Sequence, residues 1–272
     1  MKLIDFDTHF TEYLHQWIAK NEHRFQRPED MEDEMPEVYL QFLDTPADWL
    51  DGIAPGVYFE RDTDAAALCD LLCSYVSGEV PVPDPLLLRL SALADEAALL
   101  RLVRDPSAPC AARMHGIDLL RELESTAPMV DYIRWQVERG EDAELLDNAL
   151  ESLRTMGESV FKPAKIAFQA AEQEGKEALL DVLCDFPMDE DVFAFTLSCF
   201  QTLPVKRGLF AGYLAKLGDD RALEALLDAA ESTSIDYVDF IEIRSAIERL
   251  GSEAPIRDFS KDPSYLAMRR VQ

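Results

Sequence analysis

Six times in the chain an apolar residue is followed three positions on by a second one, and in five of the six then by a polar or helix-stopping residue. The copies read Leu90-Ser91-Ala92-Leu93-Ala94, Leu120-Arg121-Glu122-Leu123-Glu124, Leu153-Arg154-Thr155-Met156-Gly157, Leu183-Cys184-Asp185-Phe186-Pro187, Leu214-Ala215-Lys216-Leu217-Gly218 and Ile247-Glu248-Arg249-Leu250-Gly251. Successive final positions are separated by 30, 33, 30, 31 and 33 residues. Apolar residues three apart share one face of a helix, so each copy reads as the last turn of an amphipathic helix. Gly157, Gly218 and Gly251 can take the left-handed conformation that ends a helix, and Pro187 cannot continue one. About 31 residues hold two helices and two turns, and a lone helical hairpin cannot bury its own apolar face. The pattern therefore predicts an all-α chain, an α-α superhelix of stacked two-helix units.

The same region resembles the HEAT-like repeat family, including its short phycobilisome-lyase-type variant. Leu99-Leu100-Arg101-Leu102-Val103-Arg104-Asp105-Pro106 is similar to a first helix with its Asp-Pro turn, and the stretch from Arg113 to Leu123 to a second helix. Arg113 stands at the family's basic position, as do Lys176 and Arg207, whereas Leu146 and Phe240 stand there in two other copies. The stretch Leu217-Gly218-Asp219-Asp220-Arg221-Ala222-Leu223-Glu224-Ala225-Leu226-Leu227 is the nearest match. The resemblance covers residues 82–253 and implies a scaffold fold more than any one activity.

Outside it the pattern changes. Residues 1–81 read as an acidic helical cap or small domain. Phe6, Phe10, Leu14 and Trp17 share a helical face with Tyr13 beside them, helices are expected from about Pro36 and over 65–75, and Gly52 and Pro55 punctuate the link. Residues 254–272 read as a C-terminal capping segment, with a helix start at Asp262-Pro263 and a helix over 264–271.

Charge narrows the partners. The 272 residues carry 53 acids against 26 Lys and Arg, a net of −27, and residues 1–81 hold 18 of those acids against 5 bases. Such a chain repels nucleic acid and anionic membrane and attracts basic partners. The charge-free run from Val192 to Val205 is 14 residues and contains Pro204, shorter than the roughly 18 a span requires. No leader pattern precedes the acids at Asp5 and Asp7. Five cysteines (Cys69, Cys73, Cys110, Cys184 and Cys199) sit in apolar helical contexts, which predicts free thiols in a reducing cytoplasm.

Chemistry-bearing motifs are sparse. Glu12 and His15 have a di-iron helix's spacing, but there is no second copy, and the chain has no His-Glu dipeptide of the kind found in HEAT-like hydroxylases. Cys69 and Cys73 share a helix face without two further zinc ligands, and read as small core residues. Gly52/Gly56 and Gly208/Gly212 lack the rest of a phosphate loop, and the second pair reads as close helix packing. The cation groups Lys206, Arg207, Lys216 and Arg269, Arg270 are small for a nucleic-acid surface. The run Glu29-Asp30-Met31-Glu32-Asp33-Glu34 reads as a solvated helix start, or as a dock for a basic segment. No cofactor or metal is expected.

In the resembled family the second helix of each hairpin lines a concave face. Taking Leu120 as the core direction, 100° per residue turns His115, Asp118 and Glu122 away from it. The same offsets give Asn148, Glu151 and Thr155, then Ala178, Asp181 and Asp185, then Leu209, Gly212 and Lys216, and finally Ile243 or its neighbour Glu242 with Ser245 and Arg249. The middle of this stripe is acidic. The expected function is a non-catalytic protein-interaction scaffold whose concave face binds a protein or peptide with a basic segment. Two alternatives remain: an enzyme of a HEAT-like class, a bilin lyase or nucleic-acid processor, and an acidic inhibitor mimicking nucleic acid.

Overall fold

The computed structural model describes residues 3–25 and 27–269, with Pro28 and Glu29 by their backbone only. Arg270 and Val271 lie outside the described residues, as does the side chain of Glu29. The described chain is all-helical and has no strand, only an isolated antiparallel bridge between Ala47 and Ile53. No described helix is long and apolar enough to cross a membrane.

The first helices are α1 (Phe6–Asn21), α2 (Pro28–Glu32) and α3 (Met35–Asp44), followed by 3-10 turns over Asp48–Leu50 and Pro55–Arg61. Then come α4 (Ala65–Ser77) and α5 (Asp84–Leu93), α6 (Glu96–Arg104) and α7 (Cys110–Glu122), and α8 (Met129–Glu138) and α9 (Ala143–Thr155). They are followed by α10 (Phe161–Ala170) and α11 (Gln173–Leu183), α12 (Glu190–Thr202) and α13 (Arg207–Leu217), α14 (Leu223–Glu231) and α15 (Tyr237–Arg249), and the short α16 (Pro263–Arg269). The six breaks expected at 94, 124, 157, 187, 218 and 251 fall at the ends of α5, α7, α9, α11, α13 and α15.

The chemistry of those ends is nearly uniform. Ala94, Glu124, Gly157, Gly218 and Gly251 all have positive φ, between 50° and 81°. Only the end at Pro187 escapes, since its ring fixes φ near −65°. Ala94 and Glu124 hold a left-handed conformation that a Cβ disfavours, at a cost near 1 kcal/mol each relative to glycine. Five of the starts share one chemistry: Asp64, Asp95, Asp142, Asp189 and Asp236 cap α4, α6, α9, α12 and α15 by accepting backbone N–H bonds. Part of the acidic excess is thus helix-start chemistry, favoured by the N-terminal dipole.

The chain divides into two compact units, Met1–Tyr132 with Glu141–Met156, and Ile133–Gly140 with Gly157–Gln272. In the first, α5, α7 and α9 pack in succession and α6 packs on α7 and α4. Gly116 allows α7 to approach α6: a Cβ there would lie 2.8 Å from Val103 Cγ2. The core holds Leu72, Leu86, Leu90, Leu99, Ile117, Leu120 and Leu145, all essentially inaccessible. In the second, α13 packs on α12 and α15, and α14 on α15, around Phe200, Phe210, Leu214, Leu226 and Ile243.

Buried Arg113 ties the start of α7 to the end of α6. Its Nε donates to the carbonyl of Val103 in the last turn of α6 (2.9 Å), and its Nη1 to Glu141 (2.7 Å). Arg207 Nε reaches the Phe200 carbonyl in the last turn of α12 (3.4 Å). Arg257, from the segment after α15, donates to the carbonyls of Ala230 and Ser232 at the end of α14. Each cation satisfies carbonyls that a helix end leaves open.

Candidate interaction site

Most stripe positions lie at the surface. Glu122, Glu151, Thr155, Asp185, Leu209, Lys216, Glu242 and Arg249 are exposed, while His115, Asp118, Asn148, Ala178, Asp181, Gly212 and Ser245 are half-buried. Ile243 does not belong to the stripe: the position five residues before Ile247 is Glu242, and Ile243 is buried, because α15 turns Phe240, Ile243, Ala246 and Ile247 inward together. Its neighbour Glu242 takes the outer place.

The acids of the stripe are less bare than their sequence suggests. Asp118 accepts from Arg121 at 2.5 Å, and Arg121 also reaches Asn148 at 3.3 Å. Glu151 pairs with Arg154 at 3.1 Å, and Asp185 with Lys216 at 2.6 Å. Asp181 accepts from the Tyr213 hydroxyl at 3.2 Å, and Glu122 from the Ser91 hydroxyl at 3.2 Å. His115, Asp118, Glu122, Asn148 and Glu151 belong to the first unit, whereas Asp181, Asp185 and Glu242 belong to the second.

In the second unit the stripe closes on a groove of about 440 Å³, to which α11 contributes Asp181, α13 Gly208, Leu209, Gly212, Tyr213 and Lys216, and α15 Val238, Glu242 and Arg249. Six of these residues are stripe positions: Asp181, Leu209, Gly212, Lys216, Glu242 and Arg249. The floor is apolar: Leu209 and Val238 are about half exposed, at 52% and 48%. The two glycines of α13 behave differently. A Cβ at Gly208 would press on Glu242 and Asp239 at 3.2 Å, which is close helix packing. A Cβ at Gly212 would meet nothing within 4 Å, so the close-packing expectation fails there and Gly212 opens the groove instead. Beside it, burial and the neighbouring Asp236 raise the Asp239 carboxyl above the ordinary range, against the Gly208 N–H that lowers it.

The other candidates resolve simply. Lys206 pairs with Glu177, Lys216 with Asp185, and Arg207 lies over the Phe200 ring, so this cation group is spent on its own surroundings. All five cysteines are free thiols. Burial pushes Cys69 up to about 11 and Cys184 to about 12, far from a reactive thiolate. His9 stacks on Trp49 with ring centres 4.0 Å apart and lies 3.6 Å from Glu12. Among the described residues no three His, Cys, Asp or Glu side chains converge as metal ligands. Asp30 pairs with Arg27 and Glu34 with Arg24 within the acidic run.

A feature that the sequence reading missed lies in the first unit. A cavity of about 530 Å³ opens at the C-terminal ends of α7 and α9 beside the first turn of α8. Its lining includes Ser152, whose buried hydroxyl has no hydrogen-bond partner. A serine within an apolar helical face was the only available signal.

Comparison with models of protein families, with curated proteins and with solved structures gives no match.

Proposed function

We propose that this chain is a HEAT-like α-solenoid that acts as a non-catalytic interaction scaffold in the cytoplasm, and that the groove on α11, α13 and α15 holds an extended peptide segment of a basic protein partner. The convergence of stripe positions from three second helices on one groove carries this reading. An apolar floor opened by Gly212 would seat one apolar side chain. Glu242 stands exposed at the rim and would meet a flanking Lys or Arg, within a total charge of −27 that steers such a partner inward.

The solenoid part draws support from the reach of the side-chain bonds. Arg104–Asp131, Arg113–Glu141, Ser125–Glu96, Lys206–Glu177, Lys216–Asp185 and Arg221–Glu190 join residues 27, 28, 29, 29, 31 and 31 positions apart. Each spans about one helix pair, as expected where every unit meets its nearest neighbour.

The test is a selection of peptides from a random display library on the full chain, repeated on Gly212→Trp. The indole would fill the groove from a position with free space, and replacing a helical glycine favours the helix. Peptides with one apolar residue flanked by Lys or Arg should be enriched on the wild type and lost on the variant, and their binding should weaken with salt. Enrichment that persists on Gly212→Trp would place the site elsewhere.

A further inference from the structure

We infer that the cavity at the C-terminal ends of α7 and α9 is a second binding site, independent of the groove, and that its ligand is a primary alkylammonium group. The cavity, about 530 Å³, is of the size that small ligands occupy. Ser152 lines it and is only 1% exposed, and its buried hydroxyl makes no hydrogen bond. A helical serine commonly satisfies itself on the carbonyl four residues back. Leaving a buried hydroxyl unpaired is unfavourable, and a ligand donor entering the cavity would offset that. Thr155 Oγ1 donates to the Ser152 carbonyl at 2.8 Å and keeps its lone pairs for a second donor.

The electrostatics choose the sign of the ligand. Two helices end at this cavity, so the negative ends of two helix dipoles point toward it. Glu124 lines it with an exposed carboxylate that has no ion-pair partner among the described residues. Arg121 is also in the lining, but Asp118 at 2.5 Å and Asn148 at 3.3 Å take up its guanidinium. An anion would therefore face a carboxylate and two carbonyl-rich helix ends. Leu120 and Met156 supply apolar wall for a methylene stem, while the ammonium meets oxygen acceptors. That chemistry occurs both in free polyamines and in the lysine side chain of a protein.

The test is calorimetry on the full chain with two probes, spermidine and Nα-acetyl-lysine methylamide, on the wild type and on Ser152→Ala, Glu124→Gly and Glu224→Gln. Ser152→Ala deletes a hydroxyl that bonds nothing, and Glu124→Gly relieves a left-handed residue, so both should melt at or above the wild type. Glu224 is an exposed acid on α14 in the other unit. Saturable binding is expected to the wild type, about tenfold weaker in each of the first two variants and unchanged in Glu224→Gln. Within that result, tighter binding of spermidine identifies a free polyamine, and equal or tighter binding of the lysine derivative identifies a protein side chain. The inference is overturned if neither probe saturates, if Ser152→Ala and Glu124→Gly bind as the wild type does, or if Glu224→Gln weakens binding as much as they do. The last result would reveal attraction to the overall charge alone.

Discussion

Helices α1 and α7 have similar lengths, 16 and 13 residues, and both show apolar residues at helical spacing, yet they are held in different ways. Only Phe6 of α1 is buried, whereas α7 buries Ala112, Arg113, Gly116, Ile117, Leu119 and Leu120. α1 relies on ring contacts at its edge: Phe6 meets Trp49 and Phe59, Phe10 meets Tyr39 and Phe42, and Tyr13 meets Phe42. A second tie is long-range in the chain: the Tyr75 hydroxyl donates to the Ile4 carbonyl at 3.1 Å and accepts from the Ile4 N–H at 3.3 Å. Amphipathic spacing therefore says that a helix has a sticky face, while burial depends on how many neighbours reach that face.

The largest test of this contrast is a pair of truncations read by denaturant unfolding. Ile117→Ala should cost about 3 kcal/mol, because a buried branched side chain leaves a void among α6 and α7 residues. Leu14→Ala on half-buried α1 should cost less than about 1 kcal/mol. Equal losses would mean that α1 is as deeply integrated as α7.

Next in size is Arg113→Ala. It removes the bonds to Val103 and Glu141, and should lower stability by about 2 kcal/mol. Its exposed counterpart near α1, Arg27→Ala, loses only a surface pair with Asp30 and should stay within about 0.5 kcal/mol of the wild type.

Helix ends give a smaller, two-signed effect. Glu124→Gly should gain, and Gly218→Ala lose, about 1 kcal/mol each, since both hold positive φ. Thermal melting of the two variants checks the sign.

The smallest effect concerns pH at the start of α1. The hydroxyl and N–H of Thr8 hold the Asp5 carboxyl below its ordinary value. The folded state then binds fewer protons than the unfolded one around that range. The cap's stabilisation is present above the unfolded carboxylate pKa, near 3.9, and fades as pH falls through the lower folded value. Hydrogen exchange of the α1 amides should show protection falling as the pH is taken below the ordinary carboxylate range in the wild type, with that local loss missing in Asp5→Asn. A loss of equal size in Asp5→Asn would assign the effect to other carboxylates.

The helix ends were legible because a residue's own backbone preference decides them. Gly157, Gly218 and Gly251 announce a left-handed stop, and the preceding apolar pair marks the last turn. Ala94 and Glu124 were found through the period alone, since neither residue type signals positive φ. The surface was less legible. Asp185 and Lys216 are 31 residues apart in the chain, and pairing them requires knowing which helix faces which. Gly208 and Gly212 present one motif, yet one is pressed against α15 and the other lies open, because a single turn separates a contact from a groove. Ser152 carries no mark of its own, because whether a core-facing hydroxyl adjoins a cavity depends on the residues packed beside it.

If the helix pairs stack as the proposed solenoid, the side-chain links that reach about one helix pair along the chain bear on how it would yield to a pulling force. A link such as Arg221–Glu190 or Lys216–Asp185 fastens one hairpin to the next, as a rivet joins adjacent plates. Peeling a terminal hairpin breaks its own rivets and leaves those farther along intact. In the solenoid proposed above, tension should therefore lengthen the chain hairpin by hairpin in small steps, as a ratchet strap pays out, and not in a single rupture.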